Sequence, residues 1–299
     1  MINHFLKIMF LWLQELRIHH WVKNLFVFAP LIFSGNLRNL HAIKQSTLLF
    51  ILFSFLSSSV YISNDLIDIK NDRQHPKKKN RPIAKGLIPK ASAVIVSLLL
   101  MVMSLGMAWK FSAIVFFVLL AYLANNFLYS LYLKNKVIAD VLSISIGFML
   151  RFLGGSFAIN EEPSRWLLVC GFSLSLFLAF GKRRAEIELL NHSLKGRDIR
   201  ATLEVYDKDK LNTALAVVNS ICIITYLLFV TDPETISKHQ SAKLIYTVPI
   251  VVYGLFRYMY KAQEGEGTGP VEIILKDKAF IGAILLWFGM IFLILYYHG

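Results

Sequence analysis

Long apolar runs separated by short polar stretches dominate this chain. Nine runs stand out, at about 21–35, 46–63, 91–109, 111–133, 137–159, 166–181, 211–230, 244–260 and 279–297. A helix needs roughly 20 mostly apolar residues to cross a bilayer. The runs are continuously apolar rather than alternating, and too long for the strands of a membrane barrel. The pattern therefore predicts an all-α, polytopic membrane protein with about nine transmembrane helices. The first run is short and carries Lys23, Asn24 and Pro30, so a broken or tilted span is expected there. Residues 1–20 read as an N-terminal interfacial helix, amphipathic over 2–17, and residues 21–299 as the transmembrane domain. The apolar stretch Ile8 to Leu13 is too short for a signal peptide and no small-residue cleavage site follows it.

Composition supports the membrane reading and narrows the partners. Of the 299 residues, 56% are hydrophobic and 17% charged, against about 25% charged in an ordinary soluble domain. The 32 Lys and Arg outnumber the 19 Asp and Glu, for a net charge of +13. No stretch is long and polar enough to form a soluble basic domain, so nucleic acid is not the expected partner. Cys170 and Cys222 lie in apolar runs without a C-x-x-C spacing and read as small buried hydrophobes. With the N-terminus in the cytoplasm, only Arg38, Lys44, Lys110, Arg165, Lys238 and Lys243 fall on the far side, and Arg151 within a span. Every other Lys and Arg is then cytoplasmic, which places this protein in the inner (plasma) membrane with its N-terminus inside and its C-terminus outside. Single basic residues beside a membrane also contact lipid phosphates. Their clustering into two large loops is the more informative feature.

The first loop continues the second span as Ser63-Asn64-Asp65-Leu66-Ile67-Asp68-Ile69-Lys70-Asn71-Asp72-Arg73-Gln74-His75-Pro76. No helix breaker occurs before Pro76, so residues 64–72 are expected to stay helical. Asn64, Asp68 and Asp72 then form an i, i+4, i+8 row, which Asp65 joins from one side. Carboxylates in one row at a membrane boundary repel each other unless a cation neutralises them. Hard oxygen ligands so spaced suit Mg²⁺, completed by water and substrate phosphates. The neighbouring Arg73 and Arg81 are placed to hold the remaining phosphate oxygens. A solvated, charge-mixed helix end is the plainer alternative. The second loop opens Gly181-Lys182-Arg183-Arg184-Ala185-Glu186, in which Lys182 and Glu186 share a helix face. It reads either as an anion clamp with one carboxylate near the metal or as an ordinary stop-transfer cluster. Gly196 marks a break beyond it.

Polar residues inside spans are costly, and for that reason informative. Tyr122, Asn126 and Tyr129 lie at i, i+4, i+7 on the fourth span, with Lys134 at its inner end. Asp140 and Arg151 are three turns apart on the fifth and face the same way. Arg151 is roughly 22 Å along the helix from Lys136, so it must border a hydrated cavity or an acidic partner. Helix-packing hydrogen bonds and a structural ion pair are the bland explanations. Together these residues outline a cytoplasm-facing polar pocket walled by apolar helices, suited to one phosphorylated soluble substrate and one long lipid.

The nine-span pattern and the run Asn64, Asp68, Asp72 resemble the UbiA-like intramembrane prenyltransferase superfamily. Trp21-Val22-Lys23-Asn24, the string from Asn64 to Pro76, Arg81-Pro82-Ile83-Ala84 and Gly181-Lys182-Arg183-x-x-Glu186 resemble its decaprenyl-phosphate phosphoribosyltransferase branch. The resemblance runs from about Arg17 to Asp277. It implies transfer of 5-phosphoribosyl from phosphoribosyl pyrophosphate to a polyprenyl phosphate, with Mg²⁺, in the supply of arabinose for cell walls. Ordinary members carry a second D-x-x-x-D after the sixth span, where this chain has a basic cluster with one matching acid, Glu186. That departure speaks against a prenyl diphosphate held between two acidic motifs. On this reading Asn64, Asp65, Asp68 and Asp72 hold the metal, and Asp68, Asp72 and Lys23 serve the leaving pyrophosphate with Arg81. Arg73, Tyr129, Lys134, Arg151, Lys182, Arg183 and Glu186 are the remaining candidates for binding substrate. A prenyltransferase acting on an aromatic or other acceptor is the nearer alternative, and a cation-coupled transporter lined by Asp140 and Arg151 the more distant one. Lipid chain length stays open, and a homo-oligomer is compatible with the pattern.

Overall fold

The computed structural model describes residues 2–74, 78–192, 207–265, 272–273 and 276–297. His75, Pro76 and Lys77 of the first basic loop and Gly196 of the second lie outside the described residues. Among those described, the regular elements are all helical. In chain order the α-helices are α1 (Ile2–Glu15), α2 (Ala29–Phe33), α3 (Leu40–Ile67), α4 (Ile69–Gln74), α5 (Lys90–Phe111) and α6 (Ala113–Leu131). They continue with α7 (Ala139–Ala158), α8 (Arg165–His192), α9 (Lys208–Thr231), α10 (Pro233–His239), α11 (Val248–Glu264) and α12 (Lys278–Tyr296). Among the described residues, seven helices are long and apolar enough to cross a bilayer: α3, α5, α6, α7, α8, α9 and α12. The protein is an integral membrane protein. Leu98, Leu99 and Val102 on α5 and Leu285, Leu286 and Phe292 on α12 are exposed, as side chains facing lipid must be.

The other two of the nine runs are helical but interrupted. The first is a 3₁₀ helix, Ile18–Phe28, followed by the short α2. The cause is polar: Asn24 is buried, and its side-chain amide donates to Ser54 Oγ (3.1 Å) and Ser57 Oγ (3.4 Å) on α3. Trp21 Nε1 donates to Ser58 Oγ (3.0 Å), and Ser58 Oγ in turn donates to the Leu16 carbonyl (2.8 Å). Tying the segment to α3 at successive serines sets a tighter path than a regular apolar helix would follow. The second interrupted run starts as a 3₁₀ helix, Lys243–Thr247, before α11. There the Thr247 hydroxyl, which is buried, donates to the Leu244 carbonyl (2.6 Å), and Pro249 sits in the first turn of α11, where it is tolerated.

The chain divides into two compact units, each with its own core. Unit 1 comprises Met1–Ile32, Asn36–Leu131 and Leu150–Glu162; unit 2 comprises Phe33–Gly35, Tyr132–Met149 and Pro163–Gly299. The boundary falls inside α7, whose first half belongs to unit 2 and second half to unit 1. In unit 1, Leu49, Leu52, Phe53 and Leu56 of α3 pack with Val115, Leu119 and Tyr122 of α6 and with Val27. Small residues let the helices approach. Ser59 and Ser97 exchange hydroxyl-to-carbonyl bonds between α3 and α5 (2.9 and 3.0 Å). Gly155 of α7 lies so close to the Val27 carbonyl that a methyl group there would overlap it. In unit 2, Phe177 and Phe180 of α8 pack with Leu211, Leu215 and Cys222 of α9 and with Tyr258 of α11.

Candidate functional site

The acidic row survives a small break. The helix stops at Ile67, Asp68 leaves helical geometry (φ −89°, ψ 10°), and α4 resumes at Ile69. Backbone bonds from Asp68 N–H to Asn64 O (2.9 Å) and from Asp72 N–H to Asp68 O (2.8 Å) keep the four-residue spacing across it. Asp65 and Asp72 are buried, and Asp68 is half-buried. The row is interlocked with arginines. Arg81 Nη1 donates to Asp65 Oδ1 (2.9 Å) and to Asp72 Oδ2 (2.6 Å), bridging the two carboxylates. Arg17 Nη2 donates to both oxygens of Asp65 (2.5 and 2.7 Å), and Lys78 Nζ lies 4.0 Å from Asp72 Oδ1. Arg73 is turned elsewhere, donating from Nε to the Ala84 carbonyl (3.0 Å), and so pins the loop that presents Arg81.

Two residues that the sequence reasoning missed come from the N-terminal segment. Arg17 adopts a left-handed conformation (φ 51°) that ends α1 and turns the chain into the 3₁₀ segment. Its guanidinium lies 4.9 Å above the Tyr61 ring while it grips Asp65. Glu15 is buried as well. Burial and the neighbouring Asp65 carboxylate push its pKa up to about 7. Nothing in residues 1–20 alone links these side chains to a motif some 48 positions away.

A second polar cluster occupies unit 1 deeper along the spans. Arg151 is 5% exposed; its Nε donates to Asn24 Oδ1 (2.7 Å) and its Nη2 to Tyr122 Oη (2.8 Å). The guanidinium also stacks 4.7 Å above the Tyr122 ring. Lys23 precedes Asn24, so the Trp-Val-Lys-Asn string and the intramembrane arginine meet in one place. Of Tyr122, Asn126 and Tyr129 on α6, Tyr122 belongs to this cluster, and Asn126 bonds back to the Tyr122 carbonyl (2.7 Å). Tyr129 is half-buried two turns further on.

In unit 2 the basic cluster is divided between inside and outside. Arg183 is fully buried; its Nε donates to Asp140 Oδ2 (2.7 Å) and its Nη1 to Glu186 Oε2 (2.6 Å). Lys182 is 34% exposed, with Nζ 3.8 Å from Glu186 Oε1. Arg184 joins Asn212 (2.8 Å) and Glu188 (2.7 Å), fastening α8 to α9. Lys134 is half-buried in the 3₁₀ turn Leu133–Asn135. Asp140 and Arg151, expected to face the same way on the fifth span, belong to different clusters: Asp140 to the Arg183 pair and Arg151 to Asn24 and Tyr122.

The donor set of the acidic row suits a hard divalent cation, since it offers carboxylate and amide oxygen only. Among the described residues no group of three or more His, Cys, Asp or Glu is arranged to hold a metal ion. A cation at this row would therefore take one or two carboxylates and complete its shell with water or phosphate, the usual habit of Mg²⁺.

Comparison with known proteins agrees with this picture. The chain is 31% identical over 296 residues to a decaprenyl-phosphate phosphoribosyltransferase of Mycolicibacterium smegmatis, covering 95% of this chain and 92% of that protein. It is 32% identical over 282 residues to the protein of the same name from Corynebacterium glutamicum, covering 92% and 83%. Its fold matches that of a UbiA homologue from Archaeoglobus fulgidus, solved bound to GPP and Mg²⁺, with a TM-score of 0.68 at 17% identity over 95% of this chain and 99% of that one. The model of the UbiA prenyltransferase family matches residues 26–270, and this chain belongs to that family.

Proposed function

We propose that this protein transfers the 5-phosphoribosyl group of phosphoribosyl pyrophosphate to a polyprenyl phosphate, releasing pyrophosphate. The observation that carries the reading is the likeness to phosphoribosyltransferases of about 30% identity along nearly the whole chain. The residues agree with it. The family's first acidic motif is present as Asn64, Asp68 and Asp72, while the position of a second one holds Lys182, Arg183 and Glu186.

In the reaction the C1–oxygen bond to pyrophosphate breaks and a bond from C1 to an oxygen of the lipid phosphate forms. The leaving group takes the electron pair, and positive charge builds transiently on the ribose ring. The acceptor phosphate is already an anion at neutral pH, so no base is required to activate it. Bound Mg²⁺ supplies charge neutralisation for the leaving pyrophosphate. Asp68 and Asp72 are proposed to supply the one or two carboxylates that would hold that ion, with Asn64 and Asp65 lining the water and phosphate that complete its shell. Arg81 and Arg17, which now compensate the acidic row, offer donors to phosphate oxygens beside it. Lys23 and Arg151 supply further positive charge in the same unit, and Tyr129 and Lys134 are proposed to border the substrate. Lys182 is the accessible cation of the unit 2 cluster and is proposed to hold a phosphate; Arg183, buried between Asp140 and Glu186, is proposed to position it. Helix α1 is proposed to lie on the cytoplasmic surface, with the N-terminus inside and the C-terminus outside.

The test is incubation of purified protein with labelled phosphoribosyl pyrophosphate, Mg²⁺ and mixed polyprenyl phosphates. Label passing into the lipid fraction is the expected result. Product only from a prenyl diphosphate and an aromatic acceptor would replace this reading with that of a prenyltransferase.

A further inference from the structure

The Gly181-Lys182-Arg183 string contains one residue that the proposed reaction does not use. Glycine is a poor helix former, yet Gly181 stands in the interior of α8. Tyr258 of α11 explains it. A methyl group at position 181 would lie 2.5 Å from Cε1 of the Tyr258 ring and 2.7 Å from its Oη. Only a residue without a side chain admits the ring there. Tyr258 is 1% exposed, and its hydroxyl donates to the Leu178 carbonyl (3.2 Å). In a regular helix that carbonyl is the one that accepts the backbone N–H of Lys182. The phenol therefore holds the turn of α8 that carries Lys182. Its ring packs against Phe177 and Phe280, with centroids 5.2 and 6.5 Å away. The adjacent Arg257 ties α11 to the start of α12 by donating to Asp277 (2.8 Å), whose other oxygen accepts from Phe280 N–H (3.0 Å). All of these residues belong to unit 2.

We propose that Tyr258 is a positioning residue for Lys182: its phenol, seated in the notch left by Gly181, fixes the turn of α8 that presents the Lys182 ammonium to a substrate phosphate. The proposal rests on the reading of Lys182 as the cation that grips phosphate. An ammonium on a long, flexible stem has much freedom to lose on binding, and a fixed backbone beneath it lowers that loss. The hydroxyl-to-carbonyl bond lies in an apolar core, where water does not compete for it.

Steady-state phosphoribosyl transfer by the full-length protein in detergent, with kcat and the KM for each substrate measured separately, tests this. Lys182→Gln should raise the KM for one of the two phosphate-bearing substrates. Tyr258→Phe, which removes the hydroxyl and keeps the ring, should raise the same KM about fivefold with kcat little changed, the size expected for one ordinary hydrogen bond. In the Lys182→Gln background Tyr258→Phe should add nothing, because the group it aims is gone. A hydroxyl that only braces the core would act equally in both backgrounds, and that result overturns the proposal. So does an unchanged KM in Tyr258→Phe where Lys182→Gln raises it; the Lys182 reading then stands alone. If the wild type transfers nothing, or Lys182→Gln changes neither KM, that reading fails and the proposal with it. Should Tyr258→Phe not fold, Gly181→Ala, which displaces the phenol without removing it, decides: the same KM should rise, and an unchanged KM overturns the proposal.

Discussion

Removing the charge of Asp140 should separate a phosphate grip from an internal brace at the basic cluster. The Asp140 and Arg183 side chains are both 0% exposed and meet at 2.7 Å; Glu186, which the guanidinium also engages, is 21% exposed. Asp140→Asn keeps the shape and one oxygen but leaves a fully buried guanidinium without its buried counter-charge. Breaking one side of a buried ion pair costs about 3–5 kcal/mol. The amide oxygen still accepts a bond, so about 3 kcal/mol is expected, or roughly 6–10 °C in Tm. Lys182→Gln is the comparison. Its ion pair with Glu186 is long at 3.8 Å and one-third exposed, and such pairs contribute at most about 1 kcal/mol before screening. Thermal unfolding of both variants in one detergent, with phosphoribosyl transfer assayed below both transitions, gives the answer. Asp140→Asn should unfold early; Lys182→Gln should unfold normally but bind phosphorylated substrate poorly. If Asp140→Asn costs no more stability than Lys182→Gln, Arg183 is not braced by Asp140 and the division of labour proposed here is wrong.

Arg81→Gln should abolish transfer and destabilise unit 1 by about 3 kcal/mol, since it leaves Asp65 and Asp72 without their shared guanidinium; Arg81→Lys should recover part of the stability, and an equal loss in both variants would show that charge is not what matters. In EDTA, stability should fall as pH rises. Glu15 has a native pKa raised to about 7 from 4.5, so the native state holds an extra proton between those values, and the penalty grows through that window to about 3 kcal/mol and then levels off. Glu15→Gln should flatten this slope and be the more stable protein at pH 8; unfolding curves for the pair at pH 5 and pH 8 check it. For topology, a cysteine replacing Lys79 should react only with reagents applied from the cytoplasm, and one replacing Glu162 only from the other side, the reverse pattern overturning the orientation.

The spans were legible because each needs only a continuous apolar run, and seven of the nine appear as uninterrupted long helices among the described residues. The two interrupted ones illustrate the limit of reading hydropathy. Lys23 and Asn24 mark the first as weak, but its 3₁₀ path depends on serines of α3 some 30 positions away. Thr247 looks unremarkable in an apolar window until its hydroxyl is seen engaged with Tyr226 at 2.6 Å and with its own helix. Polar side chains choose such local geometries through partners that periodicity does not name.

The candidate site divides along the same line. Asn64, Asp68 and Asp72 were legible because a row at i, i+4, i+8 is a property of one helix, and the backbone bonds across the Asp68 break preserve it. What surrounds the row was legible only in part: Arg81 could be marked from its nearness in sequence, whereas Arg17, which compensates Asp65, and the acid Glu15 beside it reach the row through the tertiary fold. The same holds for sign: Lys182 and Arg183 are adjacent basic residues in sequence, yet a helix turns neighbours about 100° apart. One faces outward at 34% exposure and the other is buried at 0%. An anion clamp read from a run of basic residues therefore overstates the number of cations a ligand can reach, and the buried members are better regarded as the frame that aims the exposed one. In unit 1 the relation is reversed. There the acids are buried and the arginines partly open, so the acidic row is guarded by the same guanidiniums that a phosphate would engage, and ligand binding must exchange ion pairs rather than fill a waiting charge.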